Sequence, residues 1–205
     1  VKPQYWDKAK RELSRCDRVM GAIIRRYPRI HLAPRGAPFL TLSRSIVGQQ
    51  ISVKAAQAVW DRLVAAIPEV TPRGAIEAGP KLLRACGLSR RKVEYVLDLA
   101  AHFASGHIVP ERWHTMGDEQ VIAELTEVRG IGRWTAEMFL IFNLLRPDVL
   151  PLDDLGLQRA VSLGYRSGRR ISATGIQRIA KAWQPWRSVA TWYLWRSLDP
   201  VPVEY

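Results

Sequence analysis

The sequence predicts an all-α protein of two helical lobes, with a cleft between the lobes and a glycine hairpin joining two helices. Three observations point there. Apolar residues recur at helical spacing along most of the chain, while the period-two alternation of strands is nearly absent. Capping and breaking residues punctuate that pattern, among them Ser52, Ser89 and Asp118 at starts and Gly87, Gly106 and Pro147 at ends. Two stretches near 28–37 and 146–153 break it, which divides the chain into a lobe over 36–146 and a second lobe from 1–35 plus 147–205. Clefts between lobes commonly hold ligands.

The elements follow in order. Tyr5–Arg26 reads as one helix, broken at Tyr27-Pro28. A loop with Pro34, Gly36 and Pro38 leads to a helix over Phe39–Gln49. Ser52 caps Val53–Ala66, which stops before Pro68. Pro80–Ala85 is short and ends at Gly87; Ser89 caps Arg90–Ala104, ended by Gly106. Asp118 caps Glu119–Glu127, and the hairpin then leads into Arg133–Leu145. The last helices are Leu155–Leu163, Ala173–Trp183 and Pro185–Ser197, with Pro185 in a tolerated first turn.

Composition bounds the chemistry. Lys and Arg number 31 against 19 acidic residues, a net charge of +12. Such a chain is drawn to polyanions, either nucleic acid or an anionic membrane surface. No apolar run approaches the roughly 20 residues that span a bilayer, and the amphipathic start lacks a signal-peptide core, so the expectation is a cytoplasmic protein without a membrane partner. Cys16 and Cys86 are too few for a four-cysteine iron–sulfur cluster and read as small apolar residues. The four histidines, His31, His102, His107 and His114, have no ligand spacing and read as surface or packing residues. No transition metal and no organic cofactor is implied.

The most informative stretch is Glu127-Val128-Arg129-Gly130-Ile131-Gly132-Arg133-Trp134-Thr135-Ala136. Two glycines two apart permit a tight turn with positive φ and close backbone approach. The turn delivers the first amides of the next helix, where free N–H groups and the helix dipole favour an anion. A DNA phosphate fits there without sequence readout, through Gly130, Gly132, Arg133 and Thr135. A tight linker whose glycines serve only packing fits the same residues; the length of the pattern within a basic helical chain favours phosphate. Downstream, Asp153-Asp154 precedes a helix, and either aspartate can cap it.

Taken together, Ile46–Ser52, Gly130–Ala136, Leu152-Asp153-Asp154 and Trp183–Ser188 resemble the helix-hairpin-helix DNA glycosylase superfamily, on its DNA-3-methyladenine glycosylase II branch. The matched segments spread from about residue 40 to 199, and the extra N-terminal β-domain of some longer members is not expected here. The resemblance implies hydrolysis of the N-glycosidic bond of alkylated purines by base flipping in base excision repair, on double-stranded DNA and by a monomer.

It also implies roles for particular residues. The family places an apolar residue three after its catalytic Asp and often an Arg five after. Asp154 meets this with Leu157 and Arg159, whereas Asp153 would offer Gly156 and Gln158, so Asp153 is left as a cap or hydrogen-bonding partner. A carboxylate beside the sugar can stabilise an oxocarbenium-like charge and align or deprotonate water. Members that also cut the backbone carry a Schiff-base Lys where this chain has Trp134, so no β-lyase activity is expected. Trp134 and Trp195 match base-pocket positions, and Met138 lies one helical turn beyond Trp134. A Trp stripe at this spacing is more often core, the reading kept for Trp183, Trp186 and Trp192. Gln49, Gln50 and Ile51 match the wedge loop, with Gln50 as the plug for the emptied base stack and Gln49 bound to DNA or bracing the loop. An ordinary turn fits that loop too. Hairpins of this family often hold Na+ or K+ through three backbone carbonyls, here those of Thr126, Val128 and Ile131. Arg187 joins the candidate phosphate contacts, with Lys54, Arg129 and Arg159 as further neighbours, although a solvated face is the default reading of any single basic residue. Two other readings stay open: a non-catalytic helix-hairpin-helix DNA-binding module, and a glycosylase for a different lesion.

Overall fold

The computed structural model describes residues 2–199; the part of the expected second lobe at 200–205 lies outside them. Among the described residues there are helices and no strands. The helices are α1 (Trp6–Cys16), α2 (Arg18–Arg26), α3 (Pro38–Gly48), α4 (Val53–Ala66), α5 (Pro72–Ala85), α6 (Arg90–Ala104), α7 (Asp118–Thr126), α8 (Arg133–Phe142), α9 (Leu155–Arg166), α10 (Ala173–Ala180) and α11 (Arg187–Leu198). Short 3₁₀ turns cover Pro110–Thr115 and Lys181–Trp183. The described chain divides into two compact units, one from 2–34 and 140–199 and the other from Arg35–Phe139, with the division inside α8.

The 35–139 unit is built on apolar faces of α3 and α6, which bury Phe39, Leu42 and Ile46 and Val93, Val96 and Leu99. Phe39 meets Phe103 edge to face at 5.5 Å. Trp113 is fully buried against Phe139, and its indole N–H donates to Glu124 at 2.7 Å, so the ring packs without orphaning its donor.

The other unit is organised by α11, which buries residues all round its circumference, from Ser188 to Leu194. Trp6 and Trp183 fill the core beside it, and its own Tyr193 is buried there too. Trp186 is buried and gives its indole N–H to Glu12 at 2.6 Å, and buried Trp192 lies under the Arg196 guanidinium at 4.5 Å.

Several boundaries differ from the sequence reading. Tyr5–Arg26 is two helices, because Asp17 takes an extended conformation and its Oδ1 accepts from Val19 and Met20 amides. Its Oδ2 accepts from the Tyr165 hydroxyl at 2.7 Å and the Trp183 indole at 2.9 Å. Burial, with the Asp17 charge beside it, pushes the Tyr165 phenol far above its ordinary range. The α5 helix starts at Pro72, capped by Thr71, and bends at Gly79, whose φ is +67°. At the start of α7 the cap is Gly117, not Asp118; the Gln120 side chain accepts the Gly117 amide at 2.7 Å. Pro185 precedes α11 behind a cis peptide bond instead of sitting in its first turn.

Candidate functional site

Asp154 is the N-cap of α9, so of the two roles kept for Asp153, a cap or a hydrogen-bonding partner, the cap does not hold; Asp153 is exposed. The helix begins at Leu155, so register alone puts Asp154 at the cap. Its carboxylate is 9% exposed and accepts the Leu157 amide through Oδ1 at 2.6 Å. The same oxygen accepts the Trp195 indole N–H at 2.7 Å. Two donors from different helices, together with the positive end of the α9 dipole, fix the rotation of one carboxylate. This cap is therefore more than a helix start.

Trp195 is half-buried, with one ring face stacked on Phe142 at 5.6 Å and an interplanar angle of 13°. A Cβ on Gly156 would lie 3.1 Å from both the indole and Asp154 Oδ1, so the residue after Leu155 has to be small. Phe142 and Gly156 were missed in the sequence. Phe142 ends the apolar run Met138–Phe142, where periodicity cannot tell a site wall from core, and Gly156 has no φ or motif signal.

The hairpin lies in the other unit. Its two glycines do different work. Gly130 has φ +85°, and a Cβ there would sit 2.2 Å from the Tyr95 ring. Gly132 has no positive φ and nothing within 4 Å of a built Cβ, so the positive φ of the turn comes from Gly130. The Gly132 carbonyl accepts the Ala136 amide at 3.0 Å, so α8 starts directly behind the turn. The flank is tied down by Asp98, which accepts the Arg129 amide at 2.9 Å and pairs with its guanidinium at 3.1 Å. Burial raises the Asp98 carboxyl, but these Arg129 contacts outweigh it and hold it below the ordinary range.

The residues expected to form a wedge loop sit in the same unit. Gln49 is the C-cap of α3 and donates from Nε2 to the Gly130 carbonyl at 2.8 Å, bracing the loop against the hairpin. Gln50 is exposed at φ +59°, a conformation a non-glycine side chain rarely takes, and Ile51 is exposed beside it. Lys92 donates to the Val47 carbonyl at 2.8 Å, and burial lowers its ammonium pKa.

On α8, Trp134 is 41% exposed and Met138 is half-buried. The basic residues are less available than their charge suggests. Arg133 forks onto Glu119 at 2.5 and 2.9 Å and reaches Glu137 at 3.0 Å. The Glu119 bond pushes the Arg133 guanidinium still further toward its cationic form, and the same pair lowers the Glu119 carboxyl. Arg187 forks onto Asp148 at 2.7 and 2.9 Å within its own unit. Thr135 is only 7% exposed, so its side chain lies in the packing of α8. Lys54, Arg129 and Arg159 are exposed.

The carbonyls expected to hold a cation, those of Thr126, Val128 and Ile131, belong to a turn in which Val128 O accepts the Ile131 amide at 3.1 Å. A carbonyl has a second lone pair, and oxygen donors suit a hard monovalent ion, so the donor set fits. Thr126 turns its hydroxyl back to Ile122 O at 2.8 Å. No helix among the described residues is long and apolar enough to cross a membrane.

With this geometry in view, comparison with known proteins becomes specific. A family model described as HhH-GPD superfamily base excision DNA repair protein matches residues 43–187, which includes the wedge loop, the hairpin, Asp154 and Arg187. The chain is 34% identical over 164 residues to DNA-3-methyladenine glycosylase 1 of Schizosaccharomyces pombe, covering 78% of this chain and 72% of that protein. Its structure is similar to the DNA-3-methyladenine glycosidase of Bacillus halodurans, with TM-score 0.85, 34% identity, and coverage of 92% of this chain and 87% of that one. It is also similar to the S. pombe 3-methyladenine DNA glycosylase in complex with abasic DNA, with TM-score 0.79, 31% identity, and coverage of 93% and 96%. The chain belongs to the HhH-GPD superfamily of base excision DNA repair proteins.

Proposed function

We propose that this protein is a monofunctional DNA glycosylase that hydrolyses the N-glycosidic bond of alkylated purines of the 3-methyladenine type in double-stranded DNA, acting as a monomer in the cytoplasm. The observation that carries the proposal is the buried Asp154 carboxylate, oriented by the Leu157 amide at 2.6 Å and the Trp195 indole at 2.7 Å. In the reaction the bond between the sugar C1′ and the purine nitrogen breaks, and the base leaves with the electron pair. Positive charge develops on the sugar, where Asp154 stabilises it electrostatically. Water adds to C1′ and gives its proton to Asp154 as general base. A cationic alkylated purine departs neutral, so the scheme needs no second carboxylic acid.

The target nucleotide is extruded from the duplex to reach the carboxylate. Gln50, on the loop that Gln49 braces, fills the gap in the stack. Trp195, Trp134 and Met138 contact the extruded base, and a cationic ring gains about 0.5–2 kcal/mol from an aromatic face. The Gly130–Gly132 turn and the first amides of α8 take a phosphate. A monovalent cation on the Thr126, Val128 and Ile131 carbonyls, when bound, supplies further positive charge to that phosphate. Trp134 stands where a lyase needs an amine, and an indole forms no imine.

The test is to incubate the protein with methylated duplex DNA and identify released bases by mass spectrometry. Release of 3-methyladenine or 7-methylguanine, leaving an intact strand until heat or alkali is applied, is expected. DNA binding without base release would favour a non-catalytic module, and spontaneous nicks would refute the absence of lyase chemistry.

A further inference from the structure

Away from the hairpin glycines, the 35–139 unit brings together His102, His107 and Glu127, each offering one ligand atom, all within 4.8 Å of one another. His102 is in the last turn of α6, His107 follows that helix, and Glu127 is the C-cap of α7. We propose that these three side chains form a binding site for a divalent transition metal ion of the zinc class, with a fourth position open to solvent.

The donor chemistry selects the ion. Two imidazoles and one carboxylate suit zinc and its neighbours, whereas calcium and magnesium prefer oxygen alone. The geometry is within reach. Three points no more than 4.8 Å apart fit within about 2.8 Å of a common centre, and zinc bonds to nitrogen and oxygen run to about 2.0–2.2 Å, so small side-chain rotations close the difference.

The surroundings prepare the ligands. His102 Nδ1 lies 2.8 Å from the Asp98 backbone carbonyl, which can only accept, so Nδ1 carries the proton and Nε2 is the nitrogen left for a metal. A ligand histidine held by a backbone carbonyl through its other nitrogen is a recurring arrangement around bound metals. The Asp98 carboxylate stands 3.8 Å from the same ring, adding negative charge behind it. His107 Nε2 and Glu127 Oε2 are already 2.5 Å apart, a hydrogen-bonded pair whose direct contact a metal ion would replace. Both side chains are accessible, with 52% and 56% of their surfaces exposed, so an ion needs no opening of the fold. The bound ion would tie the end of α6 to the C-cap of α7, where the hairpin begins.

The test uses tag-free full-length protein, stripped with a chelator and titrated with Zn²⁺ by calorimetry. One equivalent should bind, and Co²⁺ should give the visible absorption of a low-symmetry nitrogen–oxygen site. His107→Ala and Glu127→Gln change exposed side chains, and circular dichroism checks their fold. Each should weaken Zn²⁺ binding by more than about ten-fold, since even outer-shell changes typically cost that much. His31→Ala should match wild type. Absence of saturable Zn²⁺ binding, or unchanged affinity in both His107→Ala and Glu127→Gln, would overturn the proposal.

Discussion

Trp195 performs two tasks with one side chain: its ring stacks on Phe142, and its N–H holds Asp154 Oδ1. Trp195→Phe keeps a ring and deletes the donor, so it separates them. A hydrogen bond to a charged group contributes about 1.5–3 kcal/mol, and denaturant unfolding should register a loss near the lower end. If Trp195 positions the carboxylate, single-turnover base release falls about ten-fold, the effect of some 1.4 kcal/mol on a barrier, while DNA affinity measured by fluorescence anisotropy is unchanged. Equal losses in both would mean that the residue serves binding instead. This pairing could not be read from the sequence, because 41 residues separate the partners and the Trp-rich segment looks like core. In the sequence, Asp154 stands out from its neighbour only through its register against the family pattern. Both aspartates are equally good caps, so the sequence alone leaves the capping role open between them, and the start of α9 at Leu155 decides it.

At the scale of elements, local signals carried where a cap or breaker acts locally. Ser52 and Ser89 start α4 and α6 where predicted, each side chain accepting an amide three residues on. They failed at Asp17, where no Gly or Pro marks the break and the distant Tyr165 and Trp183 hold the carboxylate in place. At the hairpin the sequence shows two glycines, and only the packing distinguishes them. Gly130→Ala must adopt φ +85° and meet Tyr95 at 2.2 Å. Left-handed strain of about 1–3 kcal/mol adds to overpacking of about 1–3 kcal/mol, so a large drop in thermal midpoint is expected. Gly132→Ala meets open space and should leave the midpoint within a degree or two, yet weaken DNA binding if backbone approach to a phosphate occurs there. Unchanged affinity in Gly132→Ala would remove that glycine from the interface. Ligand spacing is a local signal that the histidines lack, and Glu127 meets two of them, His102 and His107, only through the fold.

Over the whole molecule, a net charge of +12 predicts a strong electrostatic component to DNA binding. Each phosphate neutralised lowers log K by about 0.9 per log unit of salt. Charge count overstates the contacts, however, because Arg133 and Arg187 are already forked onto Glu119 and Asp148. Arg187→Ala should therefore lower stability and leave the salt slope nearly unchanged, whereas Lys54→Ala should reduce the slope by close to one contact. A slope that falls by a full contact in Arg187→Ala would mean that DNA displaces Asp148. The helical class and the family were legible at this scale because they rest on patterns repeated across the chain. The occupied state of individual arginines was not, since pairing depends on residues that only the fold brings together.

The central claim is that Asp154 carries the chemistry, and the most direct measurement is single-turnover release of 3-methyladenine from duplex DNA by Asp154→Asn. Asparagine keeps an oxygen for the Leu157 and Trp195 donors, so fold and DNA affinity should hold. Loss of the general base and of the charge should slow release by about 10²–10⁴-fold. Release at the wild-type rate, with binding intact, would contradict the assignment.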